Sequence, residues 1–240
     1  MTGTVPLNAT RHHALRVDAM AGAAARQFVQ IGLSEIALAA ADMPLCLAKD
    51  AQTGRFNLIA LFGLVEPRNL FWRNDHLHAT YLPRAASLTG FRLHDAGLVG
   101  LALDEGDASL GTRGPALFAT DHSPLPILTD IRAALDTLVA DIAAAQALID
   151  GYARHRLIRP LSLLLRHDDG QEHAVAGLYG LDEEALATLD DATVIAMHRA
   201  DQLAPAAVMA ASLAQVERLR QLHNGSHPRT IASYSLTLGD

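Results

Sequence analysis

Two strand-like runs separated by a short polar turn constrain the fold more than any other feature of this sequence. Residues 45–49 and 56–64 are strand-like, and the Asp-Ala-Gln-Thr-Gly between them has the length and glycine content of a longer hairpin loop. The second run places Leu58 and Phe62 on one face and Ile59 and Leu61 on the other. A strand with two apolar faces is covered on both sides. The pattern therefore predicts a central, doubly covered strand.

An apolar, helix-like stretch that begins at Phe28 predicts a short helix before this hairpin. Apolar residues recur at helical spacings of three and four at Leu33, Ile36, Ala37 and Ala40. Pro44 forbids the continuation of the helix. Glu35 interrupts the apolar stretch, and if buried it would need a partner such as Arg16 or Arg26. If Glu35 is exposed at a helix turn, it needs no partner. We therefore expect Glu35 to be exposed.

Further short strands are predicted in the N-terminal half. They cover residues 14–18, 69–72, 91–93 and 98–103, where apolar residues alternate or run together. The Asp-Glu-Gly-Asp at 104–107 closes this region as a polar turn. The N-terminal half is therefore predicted to be mainly sheet with short helices.

The clearest helix lies in the middle of the chain. Apolar residues keep helical spacing for roughly seven turns from Pro126 to about Tyr152. Basic residues gather at 154–159, which suits the negative end of the helix dipole, and Pro160 ends the helix. A second hairpin is predicted next, because residues 161–166 and 172–179 flank the turn His-Asp-Asp-Gly-Gln.

The C-terminal part is predicted to be mostly helical. Residues 182–189 and 192–199 each begin with acidic or capping residues, and a final helix runs from Pro205 to Asn224. Residues 229–240 are either a strand or disordered. The elements together predict an α+β fold with an N-terminal antiparallel sheet region and short helices, a long central helix, a second hairpin and C-terminal helices. One domain over residues 1–240 is expected, with a possible subdivision near 120–126.

Charge and composition restrict the partners and the compartment. The net charge of −7 disfavours nucleic acid, because phosphate binding needs a dense basic face. The longest apolar runs, 58–65 and 205–214, are shorter than the ~20 residues of a spanning helix, so no membrane span is expected. The N-terminus lacks a secretory signal, which makes the cytoplasm the default location, while non-classical export to the cell surface stays open. Cys46, the single cysteine, is expected to be a buried apolar residue.

A series of short motifs follows one another along the chain. The series is His13, Leu15-Arg16-Val17, Glu35, Pro44, Lys49-Asp50, Gly54, Gly63-Leu64, Asn69-Leu70-Phe71, Tyr81-Leu82-Pro83 and Gly177-Leu178-Tyr179. In this order the motifs resemble those of the SapC family of bacterial proteins, and the resemblance extends from about residue 10 to about residue 222. Residues 87–91, Ser-Leu-Thr-Gly-Phe, depart from the Arg-Tyr-Pro-Phe run usual in the family and retain only its Phe.

The resemblance to SapC proteins implies a context and no particular reaction. The family is named from a bacterial surface-layer gene cluster and also occurs beside genes for outer-membrane receptors and for peptide- or indole-modifying oxygenases and halogenases. The chain shows no nucleophile elbow, phosphate-binding glycine loop or paired cysteine motif. We therefore expect a non-enzymatic SapC-like protein without a cofactor, which binds a peptide or protein partner in a surface-layer or outer-membrane-receptor-associated context. A homo-oligomer is also possible.

Aromatic and arginine side chains, which are favoured at binding surfaces, lie close together after the first hairpin. The candidate binding residues are Asn69, Phe71, Trp72, Arg73, Tyr81 and Arg84. Phe71 is expected to pack in the core. Trp72 is followed by the polar Arg73-Asn74-Asp75 and is the better surface candidate.

His76 and His78 form an alternative candidate site. On a strand, residues i and i+2 share a face, so two imidazoles can converge, and a third ligand would come from His94, Asp95 or elsewhere. Such a site favours iron or zinc in a metal- or cofactor-dependent enzyme, or in an accessory subunit of a peptide-modifying oxygenase or halogenase. Chance pairs are expected among twelve histidines, so the non-enzymatic interpretation is preferred. Asp121-His122-Ser123 has the residue types of a hydrolase triad, but adjacent residues cannot form its geometry.

Overall fold

The computed structural model describes residues 3–239. Its strands are β1 Thr4–Pro6, β2 Arg16–Val17, β3 Phe28–Gln30, β4 Leu45–Lys49, β5 Phe56–Leu61, β6 Trp72–Arg73, β7 His76–Leu77, β8 Phe91–Leu93, β9 Leu101–Asp104, β10 Leu110–Gly111, β11 Ile158–His167, β12 Glu172–Leu181 and β13 Ile231–Leu238. Its α-helices are α1 Ala9–His12, α2 Ala19–Ala24, α3 Ile36–Ala40, α4 Arg84–Ser87, α5 Pro126–Arg154, α6 Glu183–Ala187, α7 Asp191–Arg199, α8 Leu203–Ser212 and α9 Val216–Asn224. Short 3-10 turns cover Leu33–Glu35, Leu98–Gly100 and Leu213–Gln215. These elements confirm the predicted α+β fold.

The largest sheet contains six antiparallel strands in the order β13-β11-β12-β4-β5-β3. β4 and β5 form the predicted first hairpin, in register from Leu45 opposite Ala60 to Lys49 opposite Phe56. In β5 the consecutive residues 58–61 are all buried. Both faces of this strand are therefore covered, as predicted, although β5 is shorter than the predicted run.

The second hairpin, β11 and β12, is confirmed and is longer than predicted. β12 holds one extra residue relative to β11 near Gly177, whose φ of 79° is left-handed. A glycine in that conformation is typical of a β-bulge, which bends the strand. Leu178 of β12 lies opposite Ala48 of β4, which joins the two hairpins into one sheet. The C-terminal tail forms β13 and pairs with β11.

β3 is a strand where the sequence predicted the start of a helix. Residues 28–30 pair antiparallel with β5 and form one edge of the six-stranded sheet. The predicted helix begins only at Leu33, after Gly32, whose backbone is extended at φ −87° and ψ 173°. The apolar stretch is therefore divided between an edge strand and a short helix.

A smaller antiparallel sheet has the strand order β1-β9-β8. β8 confirms the strand predicted at 91–93, and the predicted piece at 14–18 contains β2, which pairs with β10. The strand predicted over 98–103 is wrong in its first part, which is a 3-10 turn. Val99 there has a φ of 48°, a left-handed value that a strand does not accommodate.

The predicted central helix is confirmed as α5, which packs on two hydrophobic cores. From Leu128 onward its first half joins a smaller core with β8 and β9. Its second half contributes Leu148 and Tyr152 to the core that covers the six-stranded sheet. Phe118 and Leu128, on either side of segment 120–126, both belong to the smaller core. α5 thus connects the two cores, and the single-domain interpretation stays a prediction.

The C-terminal helices are close to their predicted positions. α6 and α7 correspond to the two predicted short helices. The last helical region begins at Leu203, shortly before Pro205, and is interrupted at Leu213–Gln215. A proline in the first turn removes no intrahelical hydrogen bond. Cys46 is buried, as predicted. None of the helices within residues 3–239 combines the length and the apolar character that crossing a bilayer requires.

Candidate functional site

Two of the predicted binding residues, Asn69 and Phe71, lie inside the protein. Phe71 is fully buried, and its ring packs edge-to-face on Phe62 with the ring centroids 6.5 Å apart. Asn69 is 1% exposed, and its Oδ1 accepts a hydrogen bond from the backbone N–H of Phe71 at 2.9 Å. The core position expected for Phe71 is confirmed, and Asn69 fixes the loop that leads to it.

Trp72 and Arg73 form β6, which pairs with β7 in a small hairpin. Asn74 and Asp75 connect the strands with φ values of 51° and 60°, typical of a two-residue hairpin turn. The strand predicted at 69–72 is therefore wrong except for Trp72. Both Trp72 and Arg73 are half-buried, so part of each side chain reaches the surface.

The three histidines of the alternative metal site are not assembled into a common cluster. The Nδ1 of exposed His76 lies 2.7 Å from the carbonyl oxygen of Asn74. β7 ends at Leu77, so the alternation expected to align His78 with His76 stops before His78. Within residues 3–239 no group of three or more His, Cys, Asp or Glu side chains could hold a metal ion. The metal site stays a prediction, which metal analysis of protein purified without an affinity tag tests.

Glu35 is fully buried, which corrects the expectation that it is exposed. Its Oε1 accepts hydrogen bonds from the Tyr81 hydroxyl and the Arg84 backbone N–H, both at 2.8 Å. Its Oε2 accepts one from the Gly32 backbone N–H at 2.9 Å. These donors replace the arginine partners that the sequence suggested, and they satisfy the carboxylate without water. We call Gly32, Glu35, Tyr81 and Arg84 the Glu35 clamp.

The guanidinium of Arg84 connects the Glu35 clamp to α5. Its Nη1 donates to Oδ2 of Asp141 at 2.8 Å, and its Nη2 donates to Oγ of Ser34 at 3.1 Å. Ser34 also donates to Asp141 through its backbone N–H and its hydroxyl. Burial raises the pKa of Asp141, but the hydrogen bonds from Ser34 and Arg84 outweigh burial, so the pKa lies below its ordinary value. Tyr81 and Arg84, predicted as binding residues, therefore hold the 3-10 turn Leu33–Glu35, the start of α4 and α5 together.

A groove of about 450 Å³ adjoins the Glu35 clamp. Edge strand β3, edge strand β8 and α5 all contribute to its lining. Phe28 and Val139 are 48% and 52% exposed, so large apolar surfaces remain open to solvent. We call this feature the β3 groove and define it by Phe28, Gln30, Ala85, Phe91, Arg92 and Val139.

The backbone of β3 presents unpaired groups to the β3 groove. The carbonyl of Gln27 accepts from the N–H of Phe62, and the N–H of Ile31 donates to the carbonyl of Leu58. Because antiparallel pairing alternates along a strand, the backbone groups of Phe28 and Gln30 point away from β5. No backbone hydrogen bond outside the sheet ladders uses them within residues 3–239. β3 is therefore an open edge.

The edge of β8, which also lines the groove, is partly closed. The His94 N–H donates to the Gly100 carbonyl of the neighbouring chain segment. Because antiparallel pairing alternates along a strand, the backbone groups of Phe91 and Leu93 point away from β9. The Phe91 N–H donates to the carbonyl of Leu88, and its carbonyl accepts from Nη1 of Arg92 at 2.7 Å. β3 thus offers more unpaired backbone than β8.

The comparison with protein families agrees with the motifs in the sequence. The family model SapC matches residues 7–219, which is most of the chain. The chain belongs to the SapC family. A search of the curated proteins and a search of the solved structures each found no match.

Several SapC motif residues have structural roles in this chain. A Cβ on Gly63 would lie 2.3 Å from the carbonyl oxygen of Arg68, so the loop can pass this close only at a glycine. Gly177 forms the bulge in β12, and Tyr81 belongs to the Glu35 clamp. In contrast, segment 87–91, which departs from the usual SapC run, supplies part of the lining of the β3 groove. The motifs therefore mark architecture, and the groove includes a part of the chain that differs from the family pattern.

The sequence prediction missed the β3 groove because three separate segments build it. Phe28, Phe91 and Val139 come from β3, β8 and α5. Val139 carries the local signal, since it follows Leu138 and lies beside the apolar stripe of α5 that enters the core. An exposed apolar residue beside a buried stripe indicates a second contact surface on the helix.

Proposed function

We propose that this SapC-family protein is a non-enzymatic binding protein that takes up an extended segment of another polypeptide in the β3 groove. The observation that carries the proposal is the open edge of β3 beside a largely apolar groove of about 450 Å³. A surface-layer or outer-membrane-receptor-associated partner, the context implied by the family, is part of the proposal.

Strand addition explains how such a groove gains affinity. An open strand edge is a template for pairing with another chain. The added main chain supplies hydrogen bonds, and pockets for alternate side chains supply specificity. Here Phe28 and Gln30 provide the main-chain donors and acceptors. Side chains of an added strand alternate between the two faces, so every second one can contact apolar groups such as Val139 on α5. Burial of this apolar surface contributes about 25 cal/mol per Å².

A selection from a random phage-displayed peptide library tests the proposal without knowledge of the natural partner. Displayed peptides of about nine residues can form a strand of ~5–6 residues. We expect enrichment of peptides with apolar residues at alternate positions and binding of the synthetic peptides to the full chain. A selection that enriches no family of peptides would overturn the proposal.

The variant Val139→Arg tests whether selected peptides occupy the β3 groove. It places a charged side chain among the apolar residues that line the groove, and we expect it to weaken peptide binding at least about tenfold. Ile195→Arg is the matched control, because Ile195 is 51% exposed on α7 outside the groove. Equal binding to both variants would show that the peptides bind elsewhere.

The variant Gln30→Pro tests strand addition itself. The N–H of Gln30 points away from β5, so proline at this position removes a donor for the added strand and leaves the ladder to β5 intact. Gln30→Ala is the control, because it shortens the side chain and keeps the N–H. We expect peptide binding to survive in Gln30→Ala and to fall in Gln30→Pro. Equal affinities, in two variants with equal thermal midpoints, would refute strand addition on β3.

A further inference from the structure

The β3 groove differs in charge from the rest of the chain. The chain has a net charge of −7 at pH 7. Among the described residues that line the groove, two are arginines, Arg26 and Arg92, and none is acidic. A groove of this composition in an acidic protein favours a ligand that carries negative charge.

Arg26 already has a carboxylate partner. Its Nη2 contacts Asp107, whose carboxylate is 1% exposed. The Thr89 hydroxyl and the Ser109 backbone N–H also donate to Asp107, at 2.8 and 2.9 Å. Burial raises the pKa of Asp107, but the bonds from Ser109 and Thr89 and the charge of Arg26 outweigh burial, so the pKa lies below its ordinary value. The positive charge of Arg26 is therefore largely compensated within the protein.

Arg92 has no such partner among the described residues. Its Nη1 donates to the backbone carbonyls of Thr89 and Phe91 at 2.8 and 2.7 Å. None of the ion pairs within residues 3–239 includes Arg92. The two carbonyls fix the guanidinium beside the groove, and its Nε and Nη2 hydrogens make no bond to the described chain. The guanidinium of Arg92 is thus exposed and held in position, and its Nε and Nη2 can still donate hydrogen bonds to a ligand.

We propose that the polypeptide segment bound in the β3 groove carries an Asp or Glu side chain that pairs with Arg92. This inference rests on the proposed function. A guanidinium and a carboxylate form charge-assisted hydrogen bonds, which are about twice as strong as neutral ones. Because two carbonyls already hold the guanidinium of Arg92, less side-chain freedom is lost on binding. The segment therefore combines apolar residues for α5 with an acidic residue for Arg92 in β8.

Parallel peptide selections on three full-length proteins test this inference. The same phage library is selected against the natural chain, Arg92→Gln and Arg92→Lys. We expect the natural chain to enrich Asp or Glu at a fixed distance from the apolar positions, and Arg92→Gln to lose this enrichment. Arg92→Lys keeps the charge and loses the planar fork, so we expect it to retain a weaker preference for acidic residues.

Fluorescence anisotropy with labelled synthetic peptides measures the pairing directly. The probes are one acidic peptide from the selection and its Glu→Gln or Asp→Asn analogue. We expect Arg92→Gln to weaken the acidic peptide about tenfold while the amide analogue binds both proteins equally. Arg199→Gln removes the same charge from an exposed position of α7 and should change neither affinity. Higher salt should weaken the acidic peptide more than its analogue.

The possible failures are distinguishable. Enriched peptides that prefer no acidic residue, or an acidic peptide that binds Arg92→Gln and Arg92→Lys as tightly as the natural chain, would overturn this inference and leave the proposed function standing. The absence of any enriched peptide would overturn the proposed function, and the inference with it.

Discussion

Removing one hydroxyl group from the Glu35 clamp should destabilise the protein by a measurable amount. In Tyr81→Phe the ring remains, and the hydrogen bond to Oε1 of Glu35 is lost. Burial, and then the hydrogen bond to Glu35, raise the pKa of Tyr81, so its hydroxyl stays a donor at neutral pH. The substitution therefore removes one donor from a fully buried carboxylate.

The structure sets the size of this effect. Hydrogen bonds to charged groups contribute about 1.5–3 kcal/mol. The N–H groups of Gly32 and Arg84 still donate to Glu35, so the loss is confined to a single bond of 2.8 Å. We expect the free energy of unfolding to fall by about 2 kcal/mol. For a chain of this size, at about 2–4 °C per kcal/mol, the melting temperature should fall by about 4–8 °C.

Urea unfolding followed by circular dichroism measures the change, as a lower midpoint with an unchanged slope. Tyr179→Phe is the matched control. The Tyr179 ring packs on Phe56 with centroids 4.9 Å apart, and its hydroxyl makes no hydrogen bond to the described residues. The control should change stability by less than about 0.5 kcal/mol. A Tyr81→Phe variant as stable as the control would refute the role assigned to the clamp.

Three further predictions concern other buried or strained groups. Burial, and to a smaller extent the charge of His227, lower the pKa of His223 from its ordinary value of 6.5. The contribution of neutral His223 to the free energy of unfolding is therefore fully present above pH 6.5 and is lost as the pH falls below it. His223→Gln should flatten this decline in the urea midpoint, and exposed His198→Gln should not; an unchanged decline would contradict the assignment. Burial raises the pKa of the Cys46 thiol to about 12, so Ellman's reagent should label only the unfolded protein, and rapid labelling of the native protein would be inconsistent with the fold. Val99 has a left-handed φ of 48°, which Asn adopts more readily than Val, so Val99→Asn should raise the free energy of unfolding by about 1 kcal/mol. A lower urea midpoint in this variant would count against strain at Val99.

Local patterns in the sequence predict the elements of this fold but not their arrangement. Both hairpins follow from alternation and turn residues, which act over a few neighbouring positions. The pairing of Leu178 with Ala48 joins two hairpins that are far apart in the sequence, and no local pattern specifies it. β3 escaped prediction for the same reason: three residues within an apolar stretch become a strand only because β5 lies beside them.

The candidate site was harder to predict than the fold. Glu35 was expected at the surface because a carboxylate at an exposed helix turn needs no partner, whereas a buried one would need an arginine such as Arg16 or Arg26. Tyr81 and Arg84, its partners in the structure, lie 46 and 49 positions further along the chain. Composition singled out these two residues as binding candidates, but in the structure the Tyr81 hydroxyl and the Arg84 backbone N–H donate to Glu35, and the Arg84 guanidinium pairs with Asp141. Only the packing of the 3-10 turn Leu33–Glu35 against α4 and α5 distinguishes the two roles.

The Glu35 clamp also bears on how the β3 groove could work. Ala85 and Ile142 line the groove, and each is the direct neighbour in sequence of a residue in the ion pair between Arg84 and Asp141. The spacing between α4 and α5 is therefore fixed by buried and half-buried polar contacts rather than by a loop. A wall held in this way is already formed before a ligand arrives, so little ordering entropy is lost on binding. It follows that Tyr81→Phe should weaken peptide binding only as far as it loosens the groove wall, and less than Val139→Arg, which alters the lining of the groove directly.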